Sequence, residues 1–152
     1  MNNLNQKTIL EAVTFEGVGL HTGLNTKVKL LPAEDNQGIV FKRIDLKNNN
    51  TIKANFKNVS SAKLCTTLKN DFGATVSTVE HLMAAFYITG IDNIVVELNN
   101  SELPIMDGSS KEFMTLIEKS GLKKQFSKRK YLKILKEINY RDNEKSISVK
   151  PS

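Results

Sequence analysis

Ser77-Thr78-Val79-Glu80-His81-Leu82 is the stretch on which the reading of this 152-residue chain turns. Ser77 with Glu80 three residues later has the form of an S-x-x-E capping box, and apolar Val79, Leu82, Met83 and Phe86 follow at helical spacing. A helix is therefore predicted to start here and run to about Ile88, with Gly90 as its C-terminal stop. That start sets a carboxylate and an imidazole side by side in the first turn, where free N–H groups favour anions and a neutral, metal-competent histidine. Two readings are open at this point. Either His81 ligates zinc while Glu80 takes a proton from water, or Glu80 merely closes the capping box and His81 is a half-buried polar residue. The H-E-x-x-H metalloprotease motif is excluded, because only one histidine, His81, lies on this helix.

Downstream, Asn93–Leu98 is nearly continuously apolar, as a central strand buried on both faces would be. The loop Asn99–Gly108 leads to a second S-x-x-E pair, Ser109 with Glu112, which predicts another helix. Phe113, Leu116 and Ile117 form its apolar stripe and Gly121 its stop. Asp107 precedes this helix, either as Asp-Gly turn chemistry or as a carboxylate that orients a partner histidine.

Upstream, Lys7–Phe15 reads as a strand. Gly17, Gly19 and Gly23 then fall within seven positions, marking a turn that needs unusual dihedrals or close approach. The spacing is neither a P-loop nor a dinucleotide fingerprint, and no helix follows, so a hairpin connection is expected with His21 on it. Thr26–Leu31 alternates with Val28 and Leu30 inward, and Pro32 ends it. Gly38–Arg43 is a third strand, Thr51–Phe56 a weak extended segment, and Lys63–Lys69 a further strand up to the Asn70–Gly73 turn. Ala74–Val76 runs as a short strand into the Ser77 cap. Cys65 reads as a small core residue.

With 39% apolar residues and no low-complexity tract, the chain is long enough to bury a core. The single cysteine excludes an internal disulfide and a cysteine-based zinc ribbon. The first residues lack the apolar run of a signal peptide and no stretch approaches about 20 apolar residues, so a cytoplasmic protein without a transmembrane segment is expected. The net charge of +6 is unevenly placed: residues 1–122 hold 12 Lys/Arg against 13 Asp/Glu, and residues 123–152 hold 10 against 3. That asymmetry predicts a basic linker at 123–130 rather than a uniformly basic domain. Tyr131–Ile138 and Glu144–Val149 then read as two strands joined at Asn139–Asn143. An isolated hairpin is marginal in water, which marks 131–152 as the first hairpin of a further domain.

Gly17-Val18-Gly19-Leu20-His21-Thr22-Gly23, Leu64-Cys65-Thr66, Ser77–Leu82, Gly90-Ile91-Asp92-Asn93-Ile94 and Pro104–Ser109 occur in the order seen in UDP-3-O-acyl-N-acetylglucosamine deacetylases, and over about residues 5–135 the chain resembles the first of that family's two similar domains. The resemblance implies an α+β fold, a sheet covered by two main helices, with residues 1–122 as the first domain and an incomplete second-domain hairpin at 131–152. It implies zinc-dependent removal of the N-acetyl group of an acylated UDP-N-acetylglucosamine, the committed step of lipid A synthesis, by a monomeric whole enzyme with no nucleic-acid partner. His81 resembles the zinc ligand of the first domain and Glu80 the general base. Asp107 resembles the carboxylate that hydrogen-bonds a second-domain histidine, and His21, Leu64, Cys65 and Thr66 resemble residues lining the substrate cleft. Catalytic zinc takes about three protein ligands plus water, and the family's remaining ligands, a His-Lys-x-x-Asp pattern, do not occur here. These 152 residues alone are therefore expected to be inactive. The competing expectation is a non-catalytic phosphate- or nucleic-acid-binding module that uses the basic tail.

Overall fold

The structure is a computed structural model and describes residues 4–151. The run expected as one strand over Lys7–Phe15 is two, β1 (Asn5–Ile9) and β2 (Val13–Val18). The break falls at exposed Leu10 and Glu11, whose N–H groups bond the carbonyls of Gly121 and Ser120 at 2.9 and 3.1 Å. Those bonds carry the chain from one sheet to another. Beyond the glycine connection, β3 (Asn25–Pro32) pairs antiparallel with β2 and buries Thr26, Val28 and Leu30 on one face. β4 (Ile39–Arg43) and β5 (Thr51–Lys53) form the far edge of the same sheet. β6 (Val59–Ser61), β7 (Thr67–Lys69) and β8 (Thr75–Val76) make a separate three-stranded sheet. The expected strand over Lys63–Lys69 is thus shortened, because Leu64 takes φ 68° and stands 87% exposed outside the ladder.

Helix α1 (Glu80–Thr89) ends at Gly90 with φ 77°, as its sequence predicts. β9 (Ile94–Leu98) follows and lies at the centre of the order β2-β3-β9-β4-β5, antiparallel to β3 and parallel to β4. It is not buried on both faces. Ile94, Val96 and Leu98 are fully buried, whereas Val95 is half-buried and Glu97 reaches Lys42 at 2.9 Å, since the helices cover one face only. Leu82, Ala85 and Phe86 of α1 share one apolar cluster with Phe113 and Ile117 of α2 (Lys111–Lys119) and with Val28, Leu30, Phe41, Val96 and Leu98 of the sheet. Phe15 meets Phe113 edge-on at 5.5 Å. Burying a side chain such as Phe86 is worth roughly 1.5–3 kcal/mol, so this cluster fixes how α1 sits on the sheet.

The basic run expected as a linker is largely strand. β10 (Leu122–Lys128) pairs antiparallel with β1, with Ile9 opposite Leu122 and Lys7 opposite Lys124. It is anchored by amides: Asn93 Nδ2 donates to Gln6 Oε1 and Gln125 Oε1 at 2.7 Å each, and Gln125 Nε2 donates to the Ala33 carbonyl at 2.8 Å. Arg129 closes on Asp92 at 2.7 Å, which holds its guanidinium even more firmly protonated than usual through the Asp92 hydrogen bonds. The final hairpin pairs later than expected. β11 (Ile138–Asp142) and β12 (Lys145–Val149) turn at Asn143-Glu144 with Asn143 at φ 53°, and Tyr131–Glu137 is not strand. The two-residue turn sets the register.

Candidate active site

The start of α1 is built differently from a capping box. Ser77 lies in a parallel bridge with Glu102: its N–H donates to the Ser101 carbonyl at 2.9 Å, and its carbonyl accepts from the Leu103 N–H at 3.2 Å. Its hydroxyl also goes to the Ser101 carbonyl, at 3.3 Å. The helix begins only at Glu80, after Val79, and no side chain caps it. Between bridge and helix, Thr78 takes φ 58°, a left-handed conformation unusual for a β-branched residue, which costs on the order of 1–3 kcal/mol. Its hydroxyl donates to Glu102 at 2.8 Å.

Freed from capping, the Glu80 carboxylate reaches across to the segment before β7, where Oε1 accepts from the Thr66 N–H. Its other oxygen, Oε2, and Nδ1 of the adjacent His81 are both buried with no hydrogen-bond partner among the described residues. Buried polar atoms are almost always satisfied, so two open atoms on neighbouring residues mark a place for a further group. An imidazole nitrogen suits a metal ion and a carboxylate oxygen suits a proton in transfer. The residues therefore fit one corner of a metal site. Among the described residues, no group of three or more His, Cys, Asp or Glu could hold a metal ion.

Around this pair, Leu64, Cys65 and Thr66 occupy the adjacent segment. Leu64 is exposed, and Cys65 is a half-buried free thiol 3.8 Å from the Thr67 hydroxyl. An apolar cavity of about 220 Å³ opens beside Glu80, lined by Phe56, Val59, Leu68, Val79 and Met83. His21 is exposed, and its backbone N–H is bound by Glu102. Asp107 lines a different cavity, with Phe15, Met106 and Lys111. Its Oδ1 accepts from the hydroxyl and the N–H of Ser109 at 2.9 Å each, and those bonds, the hydroxyl first, hold its carboxyl below the usual carboxylate range. The second capping box is absent too. α2 starts at Lys111 without a side-chain cap, and the Ser109 hydroxyl accepts from the Lys111 N–H at 3.1 Å.

Glu102 is the residue that sequence reasoning missed. Fully buried, it accepts from the N–H groups of His21 and Thr22, at 3.0 and 2.7 Å, and from the Thr78 hydroxyl. Burial works against its charge but is outweighed by His21, Thr22 and Thr78, so its carboxyl is lowered from 4.5 to about 2. The one trace in the sequence is Gly19, where a β-carbon would stand 2.4 Å from Glu102 Oε2.

Sheet, helices and the pair at the head of α1 define an α+β domain with two buried, unpartnered polar atoms at one helix start. The sequence model of UDP-3-O-acyl N-acetylglycosamine deacetylases (LpxC) matches residues 6–152, and the chain belongs to that family. It is 42% identical over 146 residues to a UDP-3-O-acyl-N-acetylglucosamine deacetylase of Shewanella frigidimarina and 46% identical over 147 residues to one of Geotalea uraniireducens. These matches cover 96% and 97% of this chain, which spans about half, 48%, of the length of each relative. No helix among the described residues is long and apolar enough to cross a membrane.

Proposed function

We propose that this chain provides one side of the active site of a zinc-dependent deacetylase that hydrolyses the N-acetyl group of UDP-3-O-acyl-N-acetylglucosamine in lipid A synthesis. The observation that carries the reading is the pairing of Glu80 Oε2 with His81 Nδ1, both buried and open, at the head of α1. His81 would hold the metal. Because a catalytic zinc takes about three protein ligands, the rest of the donor set comes from protein outside these 152 residues, and the chain alone is inactive. The division that fits β10 runs the first domain through Arg129, leaving 131–152 to open a second.

Zinc, when bound, acts as a Lewis acid and brings the pKa of water to about 7. Glu80 would take the proton of the water that attacks the acetamide carbonyl, and delivery of a proton to the departing nitrogen as the C–N bond breaks would leave acetate and a free amine. The Thr66 N–H holds Oε1, which leaves Oε2 as the basic atom. A base so placed contributes about 10²–10⁴ in rate. Asp107, kept ionised by Ser109, orients a histidine from outside these residues. His21, Leu64, Cys65 and Thr66 line the substrate cleft, and the apolar cavity beside Glu80 suits an acyl chain. The unpaired Cys65 accords with a reducing, cytoplasmic location. The phosphate- or nucleic-acid-binding reading of the basic run lacks comparable support, since Arg129 is engaged by Asp92 and Lys128 donates to Asn5 at 2.7 Å.

The test uses a deacetylase of the relatives' full length that carries this sequence. Glu80→Gln should lower kcat by about 10²–10⁴ while zinc stays bound, and His81→Ala should lose zinc. Parental turnover in either variant overturns the assignment.

A further inference from the structure

We propose that Glu102 is a positioning residue of this site, a buried carboxylate that locks the backbone on which Glu80 and His81 are mounted to the loop that carries His21. The inference rests on the reading of Glu80 as base and His81 as metal ligand.

Three segments far apart in sequence meet on this one side chain. From the glycine connection, the N–H groups of His21 and Thr22 point at its two oxygens. From the head of α1, the Thr78 hydroxyl donates to Oε1 at 2.8 Å. From its own loop, residues 101–103 bridge Ser77 through the Ser77 N–H to Ser101 and the Leu103 N–H to Ser77. The arrangement leaves little room for adjustment. Thr78 sits at φ 58°, a conformation that persists only where surroundings over-determine it. Glu102 and the bridge are those surroundings, two residues before the base and three before the imidazole.

The packing is equally tight on the other side. A β-carbon at Gly19 would fall 2.4 Å from Glu102 Oε2 and 2.5 Å from the Thr22 hydroxyl. A glycine there lets the loop close onto the carboxylate. A carboxylate offers acceptors on both oxygens and no donors, which matches two N–H groups and a hydroxyl converging from different directions. A glutamine of the same shape would aim an NH₂ at one of those donors. The charge is thus required by the geometry, and its work is done through Thr78 and His21 without contact with the reacting atoms.

Groups hydrogen-bonded to metal-ligating side chains typically cost 10–100-fold in metal affinity or activity when replaced, and Glu102 acts one step behind them, through Thr78. In the full-length deacetylase, Glu102→Gln should weaken zinc affinity, measured by competition with a chelator, by about 10–100-fold. It should lower kcat over a similar range with KM little changed, at temperatures well below its unfolding midpoint. Thr78→Ala, which removes only the donating hydroxyl, should move both quantities the same way by a smaller factor, and it tests the inference if Glu102→Gln does not fold. If either folded variant keeps parental zinc affinity and kcat while only its melting temperature falls, Glu102 is a fold-stabilising group and the inference is wrong. Glu80→Gln measured alongside separates the two proposals. Parental turnover in that variant removes the role given to Glu80 but leaves the zinc-affinity result on Glu102 standing by itself.

Discussion

Gly19 and Glu102 show how much a single position can depend on one 83 residues away. Since a β-carbon at 19 would press into an oxygen already held by two N–H groups, Gly19→Ala should destabilise the protein by about 1–3 kcal/mol, read as a lower urea midpoint at unchanged m-value. The same carboxylate gives the fold an acid sensitivity. Its pKa is lowered on folding from 4.5 to about 2, so its contribution is complete above 4.5 and is lost as pH falls toward 2. That contribution is on the order of 3 kcal/mol, and stability measured down this interval should fall more steeply in the parent than in Glu102→Gln. That Glu80 and His81 open a helix was legible in the sequence because they sit together at the head of an apolar-periodic run. Glu102 was not, because a glutamate in a loop carries no local sign that three donors will enclose it.

The helices and the central strands follow from local chemistry, whereas the way each helix begins does not. Both S-x-x-E pairs precede real helices, yet neither caps one. Ser77 is drawn into a bridge with the 101–103 segment and Glu80 to the Thr66 N–H, while Ser109 serves a turn with Asp107. At Ser77 and Glu80 a backbone partner from a distant segment outcompeted the local one, and at Ser109 the Asp107 carboxylate did. β10 makes the same point for strands. Its lysines look like a solvated linker, but Gln125 is buried against Asn93 and Gln6, and those amides attach the strand to the domain. Asn93 also accepts from the Gly38 N–H at 2.7 Å. Asn93→Ala leaves the Gly38 N–H and Gln125 Oε1 unpaired, Gln6 Oε1 keeping the Asn36 N–H, and should cost about 2–4 kcal/mol, with amide exchange accelerated along β1 and β10 first if the attachment works as described.

Across the described chain, residues of β1 to β5, β7 to β9 and the two helices form one apolar cluster, while β11 and β12 pair with each other and have all ten residues exposed, among them Ile138, Tyr140, Ile147 and Val149. Such a hairpin is marginal by itself, and the excess positive charge of the chain gathers in the stretch that leads to it. Alternation in β3, the apolar repeat of α1 and α2, the glycine stops and the adjacency of Glu80 to His81 are all properties of neighbouring residues, and the amino-acid order alone sufficed for them. The partner that Ser77 takes, the burial of Glu102, the strand at 122–128 and the two open atoms at the head of α1 were decided by packing. Each depends on residues 14 to 123 positions apart, such as Thr66 with Glu80 or Asn5 with Lys128, and only a folded core brings those groups within hydrogen-bonding distance.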